Sequence, residues 1–137
     1  MRYVKQSRVS TPDGSQHGNC LVACVASLAG VDIEDVPDFS NAGSEWFPIM
    51  YQFLKDHGME FEGTRYVYMD SFVYDLIYYE GVDGHVIVCG ASHREFVKRG
   101  HAVLYKDGKC VHDPHPENNG LRSIEYMYLI RRNNGNI

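Results

Sequence analysis

An α+β domain, helices first and an antiparallel sheet second, is the fold this sequence predicts, and three observations lead there. Two segments between residues 20 and 57 carry apolar side chains at helical spacing. Past Gly63 the texture changes to short runs of β-branched and aromatic residues. A chain of 137 residues, 44% apolar and 23% charged, has the size and composition of one globular domain with its own core. Residues 1–137 are therefore expected to form a single domain, with Arg131 to Ile137, rich in Asn and Gly, as a fraying tail.

Met1 to Gly18 ends in Ser10-Thr11-Pro12-Asp13-Gly14-Ser15, a cluster of turn formers that marks a loop. Cys20 to Gly30 follows as a helix. Asn19 is its expected N-cap, Leu21, Cys24, Val25 and Leu28 recur at its period, and Gly30 suits the C-terminal cap. A helix so apolar on nearly all sides belongs in the interior. Val31 to Pro37 is a connection, and a second helix runs from Ser44 to His57, its apolar face made by Trp46, Phe47, Met50, Phe53 and Leu54, with Gly58 as its stop. The strands expected are Arg65 to Met69, His85 to Cys89, His101 to Tyr105, Lys109 to His112 and Ile124 to Arg131, with a short helix over Asp70 to Tyr79.

Thirteen Lys and Arg against 18 Asp and Glu give a net charge of −5, and the basic residues are scattered, so the chain is not expected to bind nucleic acid. No apolar run approaches the ~18 residues of a membrane span, and the N-terminus has charges but no apolar export region, which together predict a cytoplasmic protein. In that compartment Cys20, Cys24, Cys89 and Cys110 are expected as free thiols.

One of these thiols stands apart. Cys20 occupies the opening turn of a buried helix, where unpaired N–H groups and the helix dipole favour a thiolate. The plainer alternative is a small core residue, the role expected of Cys24, one turn deeper. His101 opens a strand whose alternation sets it on one face with Val103 and Tyr105. The hairpin that follows decides its partner. A three-residue loop, Lys106-Asp107-Gly108, would oppose Tyr105 to Lys109, Val103 to Val111 and His101 to Asp113. A two-residue Asp107-Gly108 loop would instead set His101 against Pro114 and turn Asp113 to the other face. The first is favoured because it matches valine with valine and gives the imidazole a carboxylate that fixes its tautomer. Gln16, four residues before Cys20, could offer a side-chain amide to an oxyanion beside the Cys20 backbone N–H.

No Cys-x-x-Cys pair, no His-Glu-x-x-His and no phosphate-binding glycine loop appears, and His112 with His115 is the nearest approach to a ligand cluster, so neither metal nor cofactor is expected. The ten tyrosines, among them Tyr66, Tyr68, Tyr74, Tyr78 and Tyr79, exceed what such a core needs, and some could line a partner surface.

Asn19-Cys20-Leu21-Val22-Ala23-Cys24-Val25-Ala26-Ser27-Leu28-Ala29-Gly30, with Gly100-His101-Ala102-Val103 and His112-Asp113-Pro114 far downstream, resembles the papain-like cysteine peptidase superfamily. Within it the chain is most similar to the bacteriocin-processing peptidase domains of ABC transporters and their small phage or bacterial relatives. The resemblance implies a papain-like fold with Cys20 as nucleophile, His101 as general base and later acid, and Asp113 orienting His101. It rests on three short segments. Those transporter domains usually carry Asp-Cys-Gly at the nucleophile and a glutamine six residues before it, where this chain has Asn19-Cys20-Leu21 and Gly14, its nearest glutamines being Gln16 and Gln6. The expectation is a thiol hydrolase acting on a peptide, isopeptide or other amide bond. The alternatives are a transglutaminase-like acyltransferase and a non-catalytic protein-binding module, such as a phage accessory protein, on the same fold.

Overall fold

The computed structural model describes residues 1–67, 76 and 78–133. It is an α+β fold in which two helices pack on a five-stranded antiparallel sheet. Helix α1 (Cys20–Ala29) and helix α2 (Trp46–Asp56) come first, joined through short 3-10 turns at Ile33–Asp35, Phe39–Asn41 and Gly43–Glu45. Strands β1 (Met59–Tyr66), β2 (His85–Ser92), β3 (His101–Lys106), β4 (Lys109–His112) and β5 (Leu121–Arg132) follow, in the spatial order β1-β5-β2-β3-β4. Among the described residues no helix is long and apolar enough to cross a membrane.

The period-2 alternation of the strands divides two clusters of buried side chains. Ile87 and Cys89 of β2, Ala102 and Leu104 of β3, and Tyr128 and Ile130 of β5 meet Val22, Val25 and Leu28 of α1 and Met50, Phe53 and Leu54 of α2. Val86, Val88, Val103 and Met127, at the intervening positions, gather with Leu76 in a second cluster. Each fully buried aliphatic chain such as Leu104 stabilises the fold by about 2 kcal/mol, and their sum holds α1 against β3 and α2 against β1.

Several boundaries differ from the sequence reading, each for a local reason. Gly30 closes α1 in the left-handed conformation as expected, at φ 73°, with its N–H on the Ala26 and Ser27 carbonyls. Asn19, however, makes no side-chain cap to α1. Its Oδ1 accepts from the backbone N–H groups of Ser7 and Arg8, both at 3.0 Å, and the side chain is drawn away from the helix by that pair of donors. The first strand runs over Met59–Tyr66, earlier than Arg65 to Met69, because β1 pairs with β5 through Met59↔Arg132 and Tyr66↔Tyr126. That pairing also carries β5 to Arg132, so Arg131 and Arg132 belong to the sheet and not to a frayed tail. Most of the short helix expected over Asp70 to Tyr79, and the tail beyond Asn133, lie outside the described residues.

The β3–β4 hairpin corrects the favoured register. Its loop is Asp107-Gly108, both at positive φ (53° and 78°), as a two-residue hairpin turn of primed type requires. Lys106 faces Lys109 and Tyr105 faces Cys110, so Val103 does not face Val111. A register shift follows, after which Leu104 faces His112, leaving Val111 as an extra, 39% exposed residue on β4. A second irregularity, at Cys89/Gly90 on β2, brings the β5 backbone so close that a Cβ on Gly90 would overlap the Ser123 carbonyl.

Candidate functional site

Three chain segments converge at the N-terminal end of α1. Cys20 is the first residue of the helix and partly exposed, while Cys24 is fully buried in the core. The N–H groups of a helix's first turn have no partner within the helix, and here no side chain of Asn19 caps them. His101, 5% exposed, is the first residue of β3 and lines the same cavity as Cys20, close enough that the thiol helps raise the imidazole's pKa. Its Nε2 lies 2.6 Å from Asp113 Oδ1, which leaves Nδ1 for the sulfur.

Asp113 is held from several sides. Its Oδ1 also accepts the His115 N–H at 2.9 Å, closing an Asx turn, and Oδ2 accepts the Gly120 N–H at 2.8 Å. The residue that begins the turn is thus also the partner of the imidazole. With both oxygens occupied as acceptors, the carboxylate stays ionised: burial opposes the charge, but His101 and the two amides bring its pKa down to about 2. Burial likewise opposes charge on His101, yet Asp113 and Cys20 hold its pKa up at about 9. Nε2 therefore carries its proton toward Asp113, and Nδ1 is the ring nitrogen outside that bond.

The N-terminal segment, read from sequence only as a loop, ties these parts together. Val4 N–H donates to Ser27 Oγ on α1 at 2.8 Å, Gln6 N–H donates to the Pro114 carbonyl at 3.1 Å, and Lys5 Nζ donates to the Asp113 carbonyl at 2.9 Å. His112 Nε2 donates to the Val4 carbonyl at 2.8 Å. One strand-like strap thereby fixes the start of α1 relative to the Asp113 turn.

A cavity of about 300 Å³ opens over Cys20 and His101. Leu21, Phe39, Trp46, Val97, Tyr126 and Tyr128 supply its apolar and aromatic wall. Gln16 is not among its lining residues; that side chain is exposed and its Nε2 donates to the Val9 carbonyl at 2.7 Å. Gln6 does line the cavity, with Nε2 donating to the Arg8 carbonyl at 2.7 Å and a buried Oε1 that has no partner among the described residues. Cys89 is also in the lining, but burial pushes its thiol far up, as it does for Cys24, and burial raises Cys110 as well. His115 packs edge-on to His101 with ring centroids 6.1 Å apart, and its Nδ1 accepts the Glu117 N–H. His112 and His115 thus serve different backbone partners, and among the described residues no group of three His, Cys, Asp or Glu side chains could hold a metal ion.

Sequence reasoning missed Gln6, Arg94, Arg99 and His115 in the cavity wall, since loop residues carry no periodicity; Gly18, whose missing Cβ leaves room for Gln6 Nε2 at 3.0 Å, is the only local signal. Chemically, the arrangement offers a thiol and an imidazole able to relay a proton to and from it, both facing a partly apolar cavity, with a fixed anion behind the imidazole. No protein-family model, curated protein or solved structure matches the chain.

Proposed function

We propose that the chain is a papain-like thiol hydrolase that cleaves a peptide, isopeptide or other amide bond through a thioester on Cys20. The observation that carries this reading is the buried Asp113–His101 pair, with His101 and the thiol at the helix start sharing the wall of one open cavity. An imidazolium of raised pKa is the counter-ion that a nucleophilic thiolate needs.

In the proposed reaction the Cys20 sulfur attacks the carbonyl carbon and the carbonyl oxygen becomes an oxyanion. The uncapped Cys20 N–H is one donor for it, and the second N–H of the Gln6 amide, whose first is spent on Arg8, is the other. The intermediate collapses, the C–N bond breaks, and His101 Nδ1–H protonates the leaving amine. Water then attacks the thioester while His101 takes its proton, the C–S bond breaks, and the acid leaves with the thiol restored. Asp113 keeps its charge throughout and holds the ring so that Nδ1 stays aimed at sulfur.

The test is selective alkylation. Iodoacetamide should label Cys20 well below pH 8 and far ahead of Cys24, Cys89 and Cys110, and a slowly turned over amide or ester should leave an acyl adduct on the Cys20 peptide by mass spectrometry. Equal, slow labelling of all four thiols would refute the reading and leave the binding-module alternative. A primary amine that converts the adduct to an amide in place of the acid would move the assignment to acyl transfer.

A further inference from the structure

Acidic side chains outnumber basic ones in this chain, 18 to 13, yet among the described residues the cavity over Cys20 is lined by two arginines, Arg94 and Arg99, and by no carboxylate. Both arginines come from the β2–β3 connection, and each is tied to a different wall. Arg94, whose side chain is 10% exposed, donates from Nη1 to Asn119 Oδ1 at 3.2 Å, with Glu117 Oε2 at 3.6 Å. Arg99 donates from Nη1 to the Ser40 carbonyl at 3.2 Å. Neither tether uses Nε or Nη2, so each guanidinium is positioned by one edge and keeps further N–H donors for a ligand.

The partners of Arg94 do not cancel its charge. Asn119 is neutral, and the Glu117 carboxylate is more than half exposed, where water screens it. The Arg94 charge is felt inside the site: burial and that charge together lower the pKa of His115, the ring packed edge-on to His101. Two fixed guanidinium groups, a charged His101 and the N-terminal end of α1 make one positive field around the sulfur, in a protein whose net charge is −5.

Resting on the thiol-hydrolase reading, we propose that Arg94 and Arg99 select an amide substrate bearing a carboxylate close to the scissile bond. The aromatic wall of Trp46, Phe39 and Tyr128 packs the remainder of that substrate, and the guanidinium groups take the anion by charge-assisted hydrogen bonds. An acidic side chain and a free terminal carboxylate present the same group.

Paired alkylating probes test this without a known substrate. Iodoacetate carries the carboxylate, and iodoacetamide is its neutral counterpart. The ratio of their rates at Cys20, divided by the same ratio for glutathione, should exceed one by about fivefold to tenfold and fall as salt is raised. In Arg99→Met, an exposed position whose loss should not unfold the chain, the ratio should drop by about threefold or more, the iodoacetate rate falling further than the iodoacetamide rate. A ratio equal to that of glutathione, or unchanged in Arg99→Met, overturns the inference and leaves the hydrolase reading standing. Loss of preferential Cys20 labelling by both reagents overturns the hydrolase reading itself, and this one with it. Protection from iodoacetamide by acetyl-Ala-Glu-Ala-amide would assign a side-chain carboxylate, and protection by acetyl-Ala-Ala-Ala with a free C-terminus a terminal one.

Discussion

Replacing Asp113 by Asn changes one atom and removes one charge, and its consequences follow from three hydrogen bonds. In the native protein Oδ1 accepts from His101 Nε2 and from the His115 N–H, while Oδ2 accepts from the Gly120 N–H. An asparagine can keep its oxygen toward His101 and His115, but its NH₂ then meets the Gly120 N–H donor to donor, which costs about 1–2 kcal/mol. The larger loss is electrostatic. His101 rises from 6.5 to about 9 in the folded protein, and at 1.36 kcal/mol per pH unit this contributes about 3 kcal/mol in full and about 2 kcal/mol near pH 7.5. Because the folded value is raised, that stability is complete below pH 6.5 and is lost as pH climbs through 9. The depressed pKa of Asp113 is the same attraction seen from its partner and is not added again; it sets the acid limit, where stability falls as pH drops from about 4 through about 2. Urea denaturation of both proteins across pH should therefore show Asp113→Asn less stable by about 3–4 kcal/mol near neutrality, with the gap narrowing toward pH 9.5. NMR titration of the imidazole should find His101 well below 9 in the variant, since burial is then opposed by Cys20 and no longer by Asp113. A gap that does not depend on pH, or a His101 still titrating near 9, would refute this account of the pair.

Other expectations are more local. Cys20→Ala should abolish fast alkylation while changing the urea midpoint by less than about 1 kcal/mol in stability, because Cys20 is a partly exposed helix-end residue; a severe folding loss would return it to the core. Asn19→Ala should cost about 2–3 kcal/mol, since it strands the Ser7 and Arg8 N–H groups on a residue only 3% exposed, and Asn19→Ser should not restore both bonds. Gly90→Ala should destabilise by about 2–4 kcal/mol, because the new methyl forces β2 and β5 apart at Ser123; a thermal melt close to wild type would contradict the close approach.

The helices are the legible part of this fold. Leu21, Cys24, Val25 and Leu28 announce α1, Gly30 announces its end, and Met50, Phe53 and Leu54 announce the buried face of α2, since each lies in a periodic pattern that burial itself imposes. Lys109–His112 is legible to its boundaries because a short apolar-polar run sits between a tight turn and a proline. The start of β1 is not legible: Met59-Glu60-Phe61-Glu62 alternates but follows directly on a helix stop, and only pairing with β5 reveals it. The strap from Val4 to Arg8 is equally hidden, because its bonds reach Ser27, Asn19 and Pro114, residues far apart in sequence that no local pattern connects.

The placement of His101 against Asp113 shows how a wrong register can still lead to the right neighbours. In a hairpin, side chains share a face when the sum of opposed residue numbers keeps its parity. The favoured loop has a sum of 214, and the observed Asp107-Gly108 turn has 215 at Lys106↔Lys109 and Tyr105↔Cys110, which by itself would send Asp113 to the face opposite His101. The bulge at Val111 adds one residue, so that Leu104↔His112 sums to 216 and the even parity returns. Asp113, the residue after His112, then lies within 2.6 Å of His101 Nε2, while His115, beyond the Asx turn, packs edge-on to its ring. Valine matching could not have located the bulge, because Val111 is the residue expelled from pairing. Chemistry nevertheless points to the correct partner, since a buried imidazole needs a carboxylate. The carboxylate in turn needs two backbone donors, which the Asx turn at His115 and the loop at Gly120 provide. Deletion of Val111 would remove only the unpaired residue: Tyr105 would still face Cys110 and Leu104 would still face His112, so Asp113 stays beside His101 and fast Cys20 alkylation is retained, as it is in Val111→Thr. Loss of fast alkylation in a deletion variant that still folds would show that the pair is aligned by something other than the Leu104↔His112 register.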